Sequence, residues 1–103
     1  MARDVNVQEA LRRMFSTYGF AVVRSEHLDE VRSYLRTRGV IHLLNISRLT
    51  SKLYLVKVNE APCRAECTAN CRDTASGAVD KKCFATCLEE CVIDRVRTVL
   101  DAL

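Results

Sequence analysis

The spacing of the six Cys residues limits the fold of this chain more than any other feature of its sequence. All six lie between residues 63 and 91, in the pattern C-x3-C-x3-C-x11-C-x3-C-x3-C, which is palindromic about Gly77. Residues four apart share one face of an α-helix, so the pattern predicts two helices that each carry a stripe of three thiols. Because Gly77 interrupts helical structure between the stripes, we expect the helices to fold back as an antiparallel hairpin.

The palindrome also selects one pairing among the many that six Cys residues allow. Two antiparallel helices that turn at Gly77 bring together residues that lie equally far from Gly77 in the sequence. The pairs predicted in this way are Cys63–Cys91, Cys67–Cys87 and Cys71–Cys83. A straight stripe drifts around a helix, so three bridges require the two helices to coil around or cross each other.

Metal binding and thiol chemistry are the alternatives to disulfides. Pairs of Cys with three residues between them are admissible zinc ligands, but six thiolates exceed what one zinc ion needs, and iron–sulfur motifs favour C-x2-C loops. No C-x-x-C redox motif is present, and a nucleophilic Cys would have only His27 or His42 as its base. We therefore expect disulfides, with no metal ligand and no cofactor, and keep a thiol-redox, zinc or iron–sulfur protein as an alternative.

The inner quartet, Cys67-x3-Cys71-x11-Cys83-x3-Cys87, resembles the twin C-x3-C signature of the small chaperones of the mitochondrial inner-membrane translocases. This resemblance implies a helical hairpin with two nested bridges in the same order. It covers 21 of 103 residues, and neither the outer Cys pair nor the segment before it belongs to that pattern. The resemblance therefore supports the connectivity and not a chaperone function.

Residues 1–60 predict the element order α-β-α-β-β. Apolar residues recur at helical spacing over 6–18, with Asn6 as N-cap, and over about 26–38, with Ser25 as cap. Three short strands are predicted, and they cover residues 20–23, 40–46 and 53–58. The second strand is apolar enough to be buried on both faces, and we expect it to run parallel to the first, through a right-handed connection. We expect an α+β fold in one domain, 1–103: a small mixed three-stranded sheet with two helices, then the disulfide-stapled hairpin over 61–103.

The fourth predicted helix is longer than its hairpin partner needs. The third helix covers about 62–75, and the fourth extends from its N-cap, Asp80, to about residue 102. Its last turns carry apolar residues that need a surface to cover them: Val92, Ile93, Val96, Val99, Leu100 and Leu103. They either cover the sheet of the same chain or pack against a second chain. Since the core of such a small chain is limited, we expect a homodimer that associates through Val92, Val96, Val99, Leu100 and Leu103.

Charge is distributed unevenly along the chain. Residues 1–60 carry ten basic and six acidic side chains, whereas residues 61–103 carry six basic and seven acidic ones. An accessory protein that binds nucleic acid through one basic face is therefore an alternative function. Its candidate residues are Arg24, Arg32, Arg36, Arg38, Arg48, Lys52 and Lys57.

Phosphate-binding, zinc-protease and serine-hydrolase motifs are absent, so we predict no catalytic residues and no enzymatic activity.

The Cys residues also bear on the compartment. The first residues are charged and lack an apolar core, so we expect no secretory signal, and no stretch of the sequence is apolar enough to span a membrane. Structural disulfides are rare in a mesophilic cytosol but occur in hyperthermophiles, and the chain has one Gln and four Asn. We expect a cytoplasmic protein of a thermophilic archaeon.

The leading functional interpretation is a non-enzymatic, disulfide-stabilised structural or interaction module that self-associates.

Overall fold

The computed structural model describes the backbone of residues 2–103 and the side chains from Val7 onward. It has four helices and a three-stranded sheet, and this confirms the predicted α+β class. The elements are α1 (Ala2–Tyr18), β1 (Phe20–Arg24), α2 (Leu28–Thr37), β2 (Leu44–Arg48), β3 (Leu53–Val58), α3 (Ala61–Asn70) and α4 (Lys81–Ala102). Short 3-10 turns, Ser25–His27 and Ile41–Leu43, lead into α2 and β2.

The sheet has the strand order β1-β3-β2, and both of its pairs are antiparallel. The predicted mixed sheet is therefore wrong. β1 and β2 do run in the same direction, but β3 lies between them, with Val56 opposite both Ala21 and Ile46. β2 and β3 do form a hairpin, but β3 is the longer and more buried strand of the two and takes the central position, so β1 pairs with β3 and not with β2.

β2 is shorter and less buried than its apolar sequence predicts. Residues 41–43 form a 3-10 turn in which His42 is exposed, and the strand begins only at Leu44. Leu44 is buried and Ile46 half-buried, while the other residues of β2 are exposed. Because β2 is an edge strand with only one covered face, the prediction of burial on both faces is wrong.

The starts of α1 and α2 also differ from those predicted, whereas their ends agree. α1 begins at Ala2, so Asn6 lies inside the helix and is not its N-cap; its side chain is outside the described ones. No side chain caps α2, which excludes the predicted role of Ser25. α1 and α2 end before Gly19 and Gly39, whose φ angles of 78° and 74° lie in the left-handed region that favours glycine.

The core lies between the inner face of the sheet and three helices, α1, α2 and the end of α4. Its fully buried side chains include Leu11, Phe15, Leu35, Val56 and Val99. The α4 helix is thus anchored in the core of its own chain, which is the first of the two predicted alternatives for its apolar turns. Residues from both parts of the chain share this core.

Two polar contacts hold the end of α4 against the other helices. The side-chain amide of Gln8 on α1 donates to the carbonyl oxygen of Leu103 at 2.6 Å, and the hydroxyl group of Tyr34 on α2 donates to the same oxygen at 3.2 Å. These donors satisfy a carbonyl group that a helix end leaves without an intrahelical partner. The hairpin projects away from this body, so the molecule measures 58 × 29 × 21 Å.

The tip of the hairpin is a tight turn, and α3 ends at Asn70 instead of near residue 75. Arg72 and Val79 pair across the turn as an isolated β-bridge. The side chain of Asp73 accepts a hydrogen bond from the N–H of Ala75 at 2.8 Å. Such local side-chain bonds compete with helical ones, which explains the early end of α3.

Asp80 is the N-cap of α4, as predicted. Its Oδ1 atom accepts hydrogen bonds from the N–H groups of Lys82 and Cys83 at 2.9 and 3.3 Å. We expect Asp80→Ala to lower the free energy of unfolding by about 1 kcal/mol, because it leaves two donors of the first turn without an acceptor. The midpoint of urea unfolding measures this. Asp80→Asn keeps the acceptor and should stay close to wild type; equal losses in both variants would contradict the capping role.

Candidate interaction surfaces

Three nested disulfides join α3 to α4, and they are the three pairs expected from the palindrome. Cys63 bonds to Cys91, Cys67 to Cys87 and Cys71 to Cys83, with Cα–Cα distances of 5.8, 5.7 and 5.6 Å. These nearly equal distances, which lie within the usual range for disulfides, show that the helices keep a constant separation along the hairpin.

The disulfides occupy the place of a hydrophobic core in the hairpin. The buried residues of α3 are Cys63 and Cys67, and Cys71 follows at its C-terminal end. The other side chains of α3 are exposed, except the half-buried Thr68. α3 therefore has few apolar contacts with which to stay on α4 if its Cys residues are reduced. Cys83, at the tip, is exposed, so the bridge at the tip, Cys71–Cys83, is the most accessible of the three.

Three of the basic residues predicted to form a nucleic-acid face lie on or just after α2. The buried side of α2 faces the core, so the exposed side chains of Arg32 and Arg36 point away from it. Arg38 follows the helix, and its guanidinium group lies over the ring of Tyr34, 5.2 Å from the ring centroid.

The other four basic residues lie on the sheet and on its hairpin loop. Arg24 and Lys57 are on the face of the sheet that is opposite the core, since the alternating strand neighbours point inward. Arg48 is the last residue of β2, and Lys52 lies in the loop to β3. The structure therefore distributes the seven residues over several surfaces instead of gathering them on one face, and nucleic-acid binding stays a prediction.

A groove of about 450 Å³ opens at the base of the hairpin, where the end of α1, the start of β1, the end of β3 and the middle of α4 meet. Three large hydrophobic side chains in its wall are exposed: Tyr18 by 64%, Phe20 by 37% and Ile93 by 49%. The rings of Tyr18 and Phe20 stack with their centroids 5.7 Å apart. With Val92 and Val96 of α4, these residues form what we call the hairpin-base patch.

Only part of the predicted self-association set belongs to this patch. Val92 and Val96 line the groove. Val99 and Leu103 are buried in the core of their own chain, and Leu100 packs partly against that core. The side chains of Val99 and Leu103 are therefore not accessible to a second chain.

The exposure of two residues of the hairpin-base patch, Tyr18 and Phe20, is not predicted from the sequence. The helical stripe of α1 includes Tyr18 among its inward residues, and the apolar run at residue 20 predicts a buried strand. In the structure Ala21 and Val23 point inward, so Phe20 points outward by the alternation of β1. The signal was the small Ala21 between larger residues, because a strand that packs closely against helices favours a small side chain on that face.

Opposite charges stand on the rim of the groove. Lys57 Nζ lies 3.8 Å from Glu60 Oε2, and both residues contribute to the wall. Glu60 Oε1 also lies 3.6 Å from Arg64 Nη2. Exposed ion pairs of this kind add little to stability. Their consequence is that the rim presents both signs of charge to a partner.

All six Cys sulfur atoms are in disulfide bonds. A thiol-redox or metal-binding role would therefore require the reduced chain. Among the residues that the structure describes, no group of three His, Cys, Asp or Glu side chains is placed to hold a metal ion.

Comparison with known protein families, with curated proteins and with solved structures finds no match for this chain. Within residues 2–103, no helix is both long and apolar enough to cross a lipid bilayer. The surfaces described above are therefore the basis for assigning a function.

Proposed function

We propose that this chain is a non-enzymatic, disulfide-stabilised interaction module that forms a homodimer through the hairpin-base patch. One observation carries the proposal: among the side chains that the structure describes, from Val7 onward, three of the four exposed large hydrophobic ones line the same groove. Exposed apolar residues scattered singly over a surface are ordinary, whereas a cluster of them is typical of a binding site. The fourth, Leu49, lies in the loop between β2 and β3.

The charges on the rim favour a second copy of the chain as the occupant. In a twofold interface the same patch faces itself, so each charge on one rim must meet an opposite charge on the other. Lys57 and Glu60 are compatible with this condition, because they lie side by side on the rim. A twofold axis that passes beside this pair would bring Lys57 of one copy near Glu60 of the second copy. Aromatic residues such as Tyr18 and Phe20 are enriched at the centres of such interfaces.

The disulfides contribute by holding one wall of the groove in place. Val92 and Ile93 directly follow Cys91, which is bonded to the first turn of α3. Further along α4, Val99 is fixed in the core. The segment that carries the apolar wall is thus anchored at both ends, which lowers the entropy that dimerisation has to overcome.

The substitution Ile93→Asp tests the proposal. It places a charge in the middle of the patch, where a dimer would bury it without a counter-charge, so we expect the protein to become monomeric. Sedimentation equilibrium of the oxidised protein at micromolar concentration measures the mass, which is 11.7 kDa for the monomer.

Leu49→Asp is the matched control for Ile93→Asp. Leu49 is exposed to a similar extent, 50% against 49%, but lies outside the groove. We expect Leu49→Asp to dimerise like the wild type. A monomeric wild-type protein, or equal loss of association in the two variants, would overturn the proposal.

The proposal extends to the compartment, which we place in the cytosol of a thermophilic archaeon. The three disulfides support this, because intracellular proteins of hyperthermophiles are disulfide-rich. The scarcity of thermolabile amides, one Gln and four Asn, supports it too.

A further inference from the structure

The two edges of the sheet differ in how the chain covers them. α1 packs along β1, where the N–H of Val22 points at the Sδ atom of Met14 at 3.4 Å. The elements in substantial contact with β2 are β3 and the 3-10 turn that precedes it. In the described part of the chain, no helix therefore packs along the outer edge of β2.

The hydrogen bonds between β2 and β3 establish which backbone groups face outward. The N–H of Leu49 donates to the carbonyl oxygen of Leu53 at 2.9 Å, and the other end of β2 follows the same pattern. The odd-numbered residues of β2 therefore form backbone hydrogen bonds to β3. The N–H and C=O groups of Ile46 and Arg48 point to the open edge instead. Within residues 2–103, these outward groups have no hydrogen-bond partner.

The open edge has few of the features by which proteins prevent strand addition. β2 contains no Pro and no Lys, and its only charged residue, Arg48, is the last one. Natural edge strands are protected by such residues, by bulges or by a covering element. An unprotected edge is a template onto which an extended peptide adds by backbone hydrogen bonds.

The charges around β2 determine which kind of strand fits. Between Glu30 and Glu60 the sequence contains no acidic residue at all. The basic residues of this segment are Arg32, Arg36, Arg38, Arg48, Lys52 and Lys57. The basic residues of this segment that adjoin the edge are Arg48, at the end of β2, and Lys52, in the loop to β3. Pairing of two β2 strands from two copies would bring two such groups of like charge together, and they would repel. Nucleic acid has the opposite charge, but it has no peptide groups with which to continue the ladder of the sheet.

We propose that β2 binds an extended acidic segment of a partner protein, which adds to the sheet as a fourth strand. The backbone of the segment bonds to the N–H and C=O groups of Ile46 and Arg48. Its side chains alternate between the two faces of the sheet. Ile46 and Arg48 share the core-side face of the sheet, since they lie opposite Val56 and Tyr54. On that face the segment places an apolar side chain beside the half-buried Ile46 and an acidic one, two residues along, beside Arg48. This site is separate from the hairpin-base patch.

The test uses the oxidised full chain and a short synthetic peptide in which Val and Glu alternate at every second position, with Thr between them, so that one face carries both residue types. We expect the peptide to bind and to slow hydrogen exchange at the amides of Ile46 and Arg48, as measured by NMR. A peptide with the same composition but with its Glu residues in one block, and the alternating peptide with Lys in place of Glu, should both bind at least about tenfold more weakly.

Two substitutions locate the site on β2. Ile46→Pro removes an outward N–H without removing a bond to β3, and it should weaken binding about tenfold, whereas Ile46→Val keeps the N–H and should bind normally. Arg48→Glu should weaken binding about fivefold at low salt. Arg32→Glu makes the same charge change on the exposed side of α2 and should have little effect. Exchange protection in β3 verifies that each variant is folded.

Several results would overturn the proposal. Equal binding of the alternating and block peptides would indicate charge attraction alone, and stronger binding of oligothymidine would assign the surface to nucleic acid. Protection of Ile46 that rises with protein concentration in the absence of peptide would assign the edge to a second copy, and no binding at all would exclude the site. The monomeric Ile93→Asp variant should bind the peptide like the wild type, so failure of the dimer and failure of the peptide site are distinguishable.

Discussion

Reduction of the three disulfides is expected to unfold α3 and the first half of α4, while the sheet, α1, α2 and the end of α4 stay folded. The reason is that α3 buries its Cys residues and almost nothing else. The core that contains Phe15, Val56 and Val99 does not include a disulfide. A helix as short as α3 is marginal in water without tertiary contacts.

Reduction is expected to cause a large loss of stability in the hairpin. One disulfide that closes a loop of about 15 residues contributes about 3 kcal/mol in the chain-entropy model, and nested bridges together contribute less than the sum of their separate values. Circular dichroism at 222 nm measures the loss of helix, and mass spectrometry before and after reduction counts the thiols. Amide exchange shows where the loss occurs, and we expect it in residues 61–91.

Replacing both Cys residues of one disulfide by Ser shows how much that bridge contributes to the hairpin. Replacing Cys71 and Cys83 together should affect the tip only, because the other two bridges still hold the helices. Replacing Cys63 and Cys91 should have a larger effect, since this pair closes the longest loop and fixes the start of α3 to the middle of α4. Full helicity of the reduced protein would contradict the structural role of the bridges. Six free thiols in the purified native protein would exclude the disulfides altogether.

The hairpin could be predicted from the sequence because its determinants are local and repeated. A Cys at every fourth position defines a helical face, and one Gly77 with a positive φ of 72° defines the turn. Asp80 marks the start of α4 by the same local chemistry. The limits of β3, residues 53–58, were also correct, because its alternating pattern is bounded by polar residues on both sides.

The strand order and the hairpin-base patch were harder to predict because they depend on contacts that are distant in sequence. The position of β3 between β1 and β2 is visible only when Val56 is seen opposite both neighbours. The apolar turns of α4 indicate that a surface must cover them but not which chain provides it. Val99 fits between the sheet and α1, whereas Ile93, less than two turns earlier, remains outside.

Val99→Asp is expected to abolish folding of the body. Val99 is fully buried, and no buried polar or charged side chain is present among the described residues to pair with a new carboxylate. An unpaired buried charge costs several kcal/mol, which is a large share of the roughly 5–15 kcal/mol that stabilises a small domain. Loss of amide protection in β3 and a non-cooperative urea transition would measure the effect. The milder Val99→Ala should fold and lose about 2 kcal/mol through the cavity it leaves.

Ile93→Asp is the matched control on the same helix, because it makes the same kind of change at an exposed position. We expect this variant to fold cooperatively and to lose association only, so the pair of substitutions separates the two roles of α4. If Val99→Asp folded normally, α4 would not be part of the core, and its apolar turns would have to be covered by a second chain. If Ile93→Asp unfolded as well, the hairpin-base patch would be a structural contact and not a binding surface. The division between a buried and an exposed side of α4 therefore decides whether this helix stabilises one chain or joins two.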